Sequence, residues 1–573
     1  MSGTTKLLNP FQIKHFNKSI LKQLSTPDLL EKLNFVKKTQ SGLFQYLPLS
    51  VRTINKLSNL IHTKLQNELG AVHLELGMLS PKKLWDKTDR WQKQGNELFK
   101  LKDGKGNDFC LIATCEEDIT DLMGNYINSY KDMPFIVYQL NKKYRDEKRP
   151  RGGLLRGREF VMMDAYSFAA TERDSMDMFT RTNKAYDSIF QTLKVPYVKA
   201  WADNGDMGGD LSREFHFVDK TGEDTLFECS DCHNTTTQEK TESLPQKEGQ
   251  EFGNVDVKYG LSKDHNTLIC YYFPEGRQLN WNLAVKAMDR DIDSNLKLLS
   301  NDKILDIFQK ENEDIMFANI IRVMDCRINS RSNFPDFPFR NYLKNNFGQI
   351  DGVSIVDAVD REKCTECEGG VLNASKSIEV GHTFVLGTKY SKPMNLKFMD
   401  KDNKLDDNYV QMGCYGIGVT RIIGSLAEML RDPRGLNWPV AIAPYLVSIC
   451  GTEDNGVLTS QIKEKLNQSS ILKDNIYQSF EHNMSLGARI NVSHALGIPI
   501  AVIVGPKSWP NVEIEVRRKP TTVEKTQWKE IHKQKDQEYG WKVIEPSNPQ
   551  HLEKHIVSQE HAQKVIELLL HDL

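Results

Sequence analysis

"YRDEKRPRGGLLRGREF" (residues 144–160) holds five arginines, one lysine and a Gly-Gly pair in seventeen positions. The flanking segments "FIVYQLNKKYRDE" and "REFVMMDAYSF" are typical of β-strands, so the pattern predicts a hairpin with its loop at 148–157. The loop carries Arg149, Arg151 and Arg156, and its two glycines would let it bend over a ligand. Guanidinium groups donate paired hydrogen bonds to phosphate and keep their charge, which favours a phosphate site. A basic surface hairpin or an RNA-binding patch is the alternative.

The predicted strands place further groups beside this loop. Arg145 and Glu147 are two residues apart, so on a strand they would share a face. The arginine can meet an anionic phosphate, while the carboxylate can accept a hydrogen bond from a base amino group. Phe160 begins the second strand and could stack on that base. The segment therefore fits a nucleotide whose phosphates and base are both recognised.

A second stretch, "MGCYGIGVTRIIGSLAEML" (412–430), indicates an apolar strand that runs directly into a helix. Gly416 and Gly418 permit close approach of a ligand to the backbone, and Arg421 falls in the first turn of the helix. Positive charge at a helix N-terminus suits a polyphosphate tail. Such a glycine turn is common by itself. Its combination with the Arg-x-Glu hairpin about 270 residues upstream is specific.

These two stretches resemble motifs 2 and 3 of class II aminoacyl-tRNA synthetases, and longer segments resemble the prolyl-tRNA synthetases of bacteria and mitochondria. The further segments that carry the resemblance are "IEVGHTFVLGTKYS", "SGLFQYLPLSVR", "LWDKTDRW", "ADNGDMGGDLSREF" and "NWPVAIAP". The likeness runs from about residue 25 to the end and is weak in 235–363. It implies an α+β fold: a catalytic domain with an antiparallel sheet flanked by helices, an inserted α/β module, and a C-terminal α/β anticodon-binding domain.

The resemblance also implies the reaction. The carboxylate of L-proline would attack the α-phosphate of ATP, and the prolyl group would then pass to tRNA(Pro). Such chemistry needs no protein nucleophile, since orientation and preorganised charge supply the rate. Mg²⁺ would accompany the phosphates, because their charge exceeds what two arginines neutralise. A homodimer is implied as well, and the predicted helix at 48–70 is the candidate interface.

Site residues follow from the resemblance position by position. The residues assigned to ATP are Arg145, Glu147, Arg156, Phe160, Gly416, Gly418 and Arg421, of which Arg145 and Arg421 are the catalytic pair. The residues assigned to proline are Thr114, Glu116, Arg145, Glu214, Phe215 and His382. The residues assigned to tRNA are Arg149, Arg151, Arg517, Arg518 and Lys519. The family usually has histidine where this chain has Cys115 and Arg213. For His382 the alternative is a histidine of the protein core that donates to a backbone carbonyl.

Two Cys-x-x-Cys pairs bracket the region of weak resemblance. They are Cys229 with Cys232 and Cys364 with Cys367. Two such pairs suit a tetrahedral Zn²⁺ site if the two stems of the insertion lie together. Ordinary reduced cysteines are the alternative, and no strand–helix context favours a thioredoxin-like redox role.

Length and composition limit the remaining possibilities. A chain of 573 residues predicts several domains, and a net charge of −2 excludes a bulk polycation. Ten cysteines are too few for a secreted disulfide scaffold, and no long apolar run predicts a membrane span. The predicted boundaries are 1–27 for a mitochondrial presequence, 28–234 and 364–437 for the catalytic domain, 235–363 for a degenerate editing-like insertion, and 438–573 for the anticodon-binding domain.

The presequence prediction rests on lysines without an acidic residue before Asp28. Transit peptides favour arginine, whereas the first arginine of this chain is Arg52, beyond the predicted presequence. An ordinary surface helix is therefore the alternative. We expect the protein to be located in the mitochondrial matrix, with a cytoplasmic bacterial enzyme as the other possibility.

Two competing functions are another class II synthetase, such as the threonyl or seryl enzyme, and a non-catalytic synthetase-like protein that binds tRNA or an amino acid. The first should lack the proline-type segments, and the second should lack the ATP-binding residues.

Overall fold

The computed structural model describes residues 11, 13, 19, 21, 23–94, 97–209, 211–246, 253–452, 456–478, 484–517, 527–546 and 552–573. The α-helices in these ranges are α1 (Thr26–Lys32), α2 (Pro48–Leu69), α3 (Lys82–Asp86), α4 (Arg90–Lys93), α5 (Glu116–Met123), α6 (Glu172–Thr192), α7 (Trp281–Ala287), α8 (Asn301–Glu311), α9 (Val419–Met429), α10 (Gly456–Leu466), α11 (Leu486–Ala495), α12 (Gln527–Tyr539) and α13 (Ala562–Asp572). Within this part of the chain no helix has the length and apolar character that a membrane crossing needs.

The strands are β1 (Val36–Gln40), β2 (Leu43–Tyr46), β3 (Val72–His73), β4 (Leu79–Pro81), β5 (Lys100–Lys102), β6 (Asp108–Leu111), β7 (Phe135–Tyr144), β8 (Glu159–Ala169), β9 (Val198–Ala202), β10 (Leu211–Val218), β11 (Asp224–Cys229), β12 (Thr235–Thr237), β13 (Ser243–Leu244), β14 (Val255–Leu261), β15 (Thr267–Pro274), β16 (Asn319–Asp325), β17 (Phe347–Val353), β18 (Lys363–Cys364), β19 (Leu372–Gly387), β20 (Gln411–Gly418), β21 (Val447–Cys450), β22 (Ile476–Gln478), β23 (Ile500–Ile503), β24 (Asn511–Val516), β25 (Lys542–Ile544) and β26 (Glu553–Ser558).

A nine-stranded sheet forms the catalytic domain, in the order β10-β9-β12-β11-β19-β20-β8-β7-β3. Its central neighbours, from β11 through β19, β20 and β8 to β7, are all antiparallel, as the resemblance implied. Helix α2 packs against α6 and against α9, and α6 and α9 also pack against strands of this sheet. The predicted helix at 48–70 is α2, which ends where Gly70 takes the left-handed conformation that favours glycine.

The insertion forms a separate sheet in the order β14-β15-β16-β17. It joins the catalytic domain through the short β13–β18 pair. The predicted boundary at 235 is early, because β12 lies in the catalytic sheet between β9 and β11. Threonines at 235–237 continue the antiparallel pairing of β11 before the chain leaves the sheet, which no change in composition signalled.

The C-terminal residues form a six-stranded sheet in the order β22-β21-β23-β24-β26-β25, with α10 to α13 around it. This agrees with the α/β domain that the strand–helix alternation predicted. Carbonyl oxygens just before β21 bind α2, since Arg52 Nε donates to Pro444 O (2.7 Å) and Lys56 Nζ donates to Ala443 O (2.6 Å). The two domains are therefore joined by direct hydrogen bonds.

Most of the predicted presequence, including its lysines, lies outside the described residues. Two of its described residues, Ile13 and Leu21, are buried in the core of the catalytic domain, and Ser25 caps α1 by accepting from Asp28 N. Folded structure thus begins before the predicted boundary at 28.

Candidate active site

A cavity of about 510 Å³ opens between the β7–β8 hairpin, β19, β20 and the start of α9. The sequence-predicted residues that line it are Thr114, Arg145, Glu147, Arg156, Phe160, His382, Gly416, Gly418 and Arg421. Three of the residues predicted to bind proline, Glu116, Glu214 and Phe215, do not line it. Residues more than 270 positions apart in sequence thus meet in one space, through the β8–β20 and β19–β20 pairings.

Arg145 and Phe160 face each other at the base of the hairpin. The sequence predicted that Arg145 lies within the first strand of the hairpin. In the structure β7 ends at Tyr144, so Arg145 lies one residue beyond the strand. Its backbone N–H still donates to Arg158 O (2.9 Å), which extends the hairpin pairing. The guanidinium carbon lies 5.3 Å from the centroid of the Phe160 ring, close enough for a cation–π contact. Burial, and then the charge of Arg421, lower the pKa of Arg145, so two cations share this cavity.

Arg421 lies in the first turn of α9, as predicted. Its Nε donates to Leu155 O (2.9 Å) of the hairpin loop, and its Nη1 donates to Glu379 Oε2 (3.2 Å) of β19. A Cβ on Gly416 would meet no atom within 4 Å, so this glycine borders open space in the cavity. The helix N-terminus, the arginine and the bare backbone together suit a negatively charged ligand.

Glu379 is a cavity residue that sequence reasoning missed. Burial acts to raise its pKa, but the hydrogen bond with His382 and the charges of His382 and Arg421 hold the pKa well below its ordinary value. The carboxylate is therefore ionised beside Arg421. Glu379 lies in "IEVGHTF", one of the segments that carry the family resemblance. Its place in that segment, two residues before Gly381, is the sequence signal by which it could have been predicted.

Carboxylates also engage the arginines of the hairpin loop. Arg156 Nε donates to Glu147 Oε2 (2.7 Å), and its Nη1 donates to Glu223 Oε2 (2.9 Å). Arg151 forms a second ion pair with Glu223, and Arg149 is exposed. Glu223, which lines the cavity, was not predicted. Glu147 and Arg156 thus compensate each other's charge, and a nucleotide that used either would replace this pair.

Thr114 separates Glu116 from the cavity. Its Oγ1 lies 2.7 Å and 2.8 Å from the two carboxylate oxygens of Glu116, which is fully buried. Arg90 Nη1 donates to Glu116 Oε2 (2.9 Å) from the other side. Burial acts to raise the pKa of Glu116, but the charge of Arg90 lowers it. Arg90, which was missed, lines the cavity and comes from the quoted segment "LWDKTDRW".

The "SREF" segment divides between the two faces of its strand. Phe215 packs in the core on Tyr186 and Phe190, with ring centroids 5.3 Å and 5.4 Å away, so the expectation that it lines the proline pocket does not fit its position. Successive side chains of a strand point to opposite faces, so Glu214 points the other way. Its Oε2 lies 2.6 Å from His216 Nε2, and its Oε1 lies 3.5 Å from His382 Nδ1.

Glu214 and His382 form a half-buried acid–imidazole contact at the cavity wall. Burial raises the pKa of Glu214 to about 8, although the charge of His382 acts to lower it. His382 itself lines the cavity, and its Nε2 is buried without a hydrogen-bond partner among the described residues. An unsatisfied buried nitrogen is costly, which marks this atom as a candidate contact for a bound ligand.

The four cysteines of the two Cys-x-x-Cys pairs meet in one cluster. Their Sγ atoms all lie within 4.8 Å of one another, and none forms a disulfide. Burial acts to raise the pKa of the Cys229 thiol, but backbone N–H groups of Asp231 and Cys232 lower it to about 7. The condition set by the sequence, that the two stems of the insertion lie together, is therefore met.

The position of Arg517 contradicts the prediction that this residue binds tRNA. Its guanidinium is buried and donates to both carboxylate oxygens of Asp432, at 2.7 Å and 2.6 Å. The side chain joins the C-terminal domain to the segment after α9, so it presents no charge to a nucleic acid. Arg518 and Lys519 lie outside the described residues.

The sequence of the chain is similar to those of known proteins. Residues 99–429 match the family model described as "tRNA synthetase class II core domain (G, H, P, S and T)". The probable mitochondrial proline–tRNA ligase of Saccharomyces cerevisiae is 52% identical over 569 residues, with 98% of each chain covered. The cytoplasmic proline–tRNA ligase of Candida albicans is 38% identical, with 96% of this chain and 95% of the relative covered. The Aquifex aeolicus proline–tRNA ligase is 32% identical, with 84% and 89% covered.

Solved structures show a similar fold. Prolyl-tRNA synthetase of Cryptosporidium parvum, complexed with halofuginone and AMPPNP, gives a TM-score of 0.56 at 12% identity, with 95% of this chain and 76% of that chain covered. The same enzyme complexed with L-proline and AMP also gives 0.56 at 12% identity, with 98% and 78% covered. At this identity the likeness concerns the fold alone.

Proposed function

The chain belongs to the prolyl-tRNA synthetase family of class II aminoacyl-tRNA synthetases, and we propose that it acts in mitochondrial translation. It is a proline–tRNA ligase, which consumes ATP and forms AMP and pyrophosphate. The mitochondrial proposal is supported by 52% identity to the yeast mitochondrial relative against 38% to the cytoplasmic one, and by the lysine-rich N-terminus. A non-catalytic relative would have no need to keep Arg145, Phe160 and Arg421 around one cavity, and this convergence is the observation that carries the site assignment.

In the proposed activation step, ATP lies with its base over Phe160 and its phosphates between Arg145 and Arg421. Arg145 would hold the α-phosphate and the proline carboxylate together, which orients the attacking oxygen. Arg421 would exchange Glu379 for the γ-phosphate. Glu147 would accept from the adenine amino group once Arg156 turns to the pyrophosphate oxygens. These side chains act by orientation and by preorganised positive charge.

Proline would bind deeper, beside Thr114 and His382. The partnerless Nε2 of His382 offers this pocket one unused hydrogen-bonding position. Glu116 would act through Thr114, because the hydroxyl of Thr114 covers its carboxylate. Glu379, whose Oε1 lies 3.1 Å from His382 Nδ1, would hold the His382 ring in place, with the Glu214 carboxyl beside it. Cys115, in place of the usual histidine, is fully buried and accepts from Gln139 Nε2 (3.1 Å), so it shapes the wall from behind.

Two metal ions belong to the proposal. Mg²⁺ would accompany ATP, and the carboxylates of Glu379 and Asp224, which line the cavity, are the oxygen ligands that this ion takes. When bound, it would neutralise charge on the phosphates. Zn²⁺ would bind Cys229, Cys232, Cys364 and Cys367 as a structural ion.

The remaining proposals concern macromolecular partners. The exposed loop residues Arg149 and Arg151 are candidates for the acceptor end of tRNA(Pro), and Arg518 and Lys519 for its anticodon arm. A homodimer that uses α2 would be visible as a doubled mass in light scattering. The insertion is proposed not to edit, and rapid hydrolysis of alanyl-tRNA(Pro) by the purified protein would contradict this.

Proline-dependent exchange of pyrophosphate into ATP tests the activation step directly. We expect exchange with proline to be far faster than with alanine, serine or threonine, because these side chains fill the proline pocket less well. Exchange with another amino acid alone, or with none, would refute the assignment. Charging of tRNA(Pro) then tests the transfer step, and fractionation of cells that express the tagged chain tests its location.

A further inference from the structure

The cysteine cluster matches the dimensions of one tetrahedral zinc site. Zinc–sulfur bonds of about 2.3 Å in a tetrahedron place the sulfur atoms about 3.8 Å apart. Cys229 Sγ lies 3.5 Å from Cys367 Sγ, and Cys232 Sγ lies 4.0 Å from Cys364 Sγ. Each pair thus takes one cysteine from each side of the insertion. A single ion at the centre would bridge both sides at once.

The loops around the cluster are shaped to hold thiolates. The backbone N–H of Glu366 donates to Cys364 Sγ (3.3 Å), a contact that stabilises negative charge on sulfur. A Cβ on Gly370 would lie 2.2 Å from Cys229 Sγ and 2.8 Å from Cys367 Sγ, so only glycine lets the chain pass. Close passage of backbone over the sulfur atoms is therefore built into the sequence "CTECEGG".

The cluster lies at one end of the catalytic sheet, between the turn that joins β11 to β12 and the segment from β18 to β19 through which the chain returns from the insertion. Cys229 is the last residue of β11 and pairs with Leu372, the first residue of β19. A second connection lies beside it, because Arg327 Nε donates to Glu362 Oε1 (2.9 Å) and Ser243 Oγ donates to Glu362 Oε2 (2.8 Å). The root of the insertion is thus held by a buried ion-pair network on one side and by the cysteines on the other.

We propose that these four thiolates bind one zinc ion that clamps the root of the insertion to the end of the β11–β19 ladder. The ladder extends from the cluster to the cavity, where Asp224 pairs with Ser377 and accepts from Glu379 N (3.4 Å). The clamp deepens the cofactor part of the proposed function and rests on it. Its loss would leave the root of the insertion held by the Arg327–Glu362 network alone and loosen the strand that carries Glu379, while leaving the C-terminal sheet unchanged.

Metal analysis of the full-length chain, purified under reducing conditions without chelator, tests the zinc site. We expect one zinc per chain, retained in Cys326→Ser, which alters a cysteine of the insertion outside the cluster, and lost in the double variant Cys232→Ser, Cys367→Ser. Cobalt substituted for zinc should give the visible spectrum of a tetrahedral tetrathiolate. Metal-free thiols, or disulfides revealed by a mass lower by two hydrogens per bond, would overturn the site.

Hydrogen–deuterium exchange tests the clamp. Removal of zinc from the wild-type chain with a chelator should speed exchange in β13, β18 and the first half of β19, and leave β21 and β23 unchanged. Because the wild-type chain is used, a misfolded variant cannot imitate this result. Zinc binding with unchanged exchange at the root would refute the clamp. Metal content is read independently of pyrophosphate exchange, so a zinc-bearing chain without ligase activity would refute the proposed activation site and leave the zinc site standing.

Discussion

Replacing Arg517 with alanine distinguishes an anticodon contact from a structural connection between domains. In the structure Arg517 is 3% exposed, and its guanidinium donates to both oxygens of Asp432. It also donates to Leu436 O (3.1 Å) and His494 O (3.3 Å), so its described contacts are all within the protein. Asp432 would keep its charge after the substitution and lose its partner.

The structure sets the magnitude. Removing one member of a buried ion pair costs about 3–5 kcal/mol. The Asp432 side chain is 31% exposed, so water would recover part of this and leave a loss of about 2–3 kcal/mol. For the C-terminal domain (438–573), this loss in free energy of unfolding should lower the midpoint of the thermal transition by about 6–10 °C.

Thermal unfolding and tRNA kinetics measure the two roles separately. We expect Arg517→Ala to lower the melting temperature, while the KM for tRNA(Pro) at a temperature below the transition stays near wild type. Asp432→Asn should cost less, and the double variant should cost less than the sum, because both changes break one pair. Lys533→Ala, at an exposed position of α12, is the matched loss of a basic residue. An unchanged melting temperature with a raised KM for tRNA(Pro) would refute this reasoning.

Three further changes probe the cavity and the insertion. Arg421→Ala should lower kcat/KM for ATP in pyrophosphate exchange about 100-fold or more, whereas Arg173→Ala on the exposed face of α6 should not; equal kinetics would remove Arg421 from the phosphate site. Thr114→Val deprives a buried carboxylate of a donor and should raise the KM for proline about tenfold with little change for ATP; a change confined to ATP would contradict its place in the proline pocket. Burial opposes ionisation of Glu362, but hydrogen bonds from arginines, the first of them Arg327, lower its pKa from 4.5 to about 2. The native state therefore binds fewer protons than the unfolded chain between these values, and Glu362→Gln should reduce thermal stability at pH 7, with the difference from wild type shrinking as pH falls from about 4.5 towards 2; a difference independent of pH would show that charge is not involved.

The sequence sufficed wherever short-range chemistry and the family pattern agreed. Arg421 lies in the first turn of a helix because an apolar strand ending in Gly418 leads directly into it. The hairpin that bears Arg156 follows from two strands separated by a basic glycine loop. Position-by-position resemblance assigned Arg145, Phe160 and His382 to one site, and in the structure all three line the same cavity.

Other assignments depended on partners that are distant in sequence. Arg517 looks like one more basic residue of "EIEVRRK", and only the packing of the C-terminal domain on the catalytic domain reveals Asp432 beside it. Phe215 follows Glu214 directly, but strand alternation puts its ring in the core. Glu116 is covered by the hydroxyl of Thr114, and its carboxylate also pairs with Arg90, which lies 26 positions upstream.

By itself, then, the sequence determined the class of fold, the reaction, and which arginines and aromatic ring line the cavity, because these depend on local patterns that a family repeats. Only the tertiary structure decided which charges are already paired, which side chains are covered, and whether the two cysteine pairs meet. Pairing and burial depend on distances between segments far apart in the chain, and spacing along one strand or helix does not contain them. The four cysteines show the difference: their spacing raised the possibility of a metal site, and the β11–β19 ladder supplied the geometry.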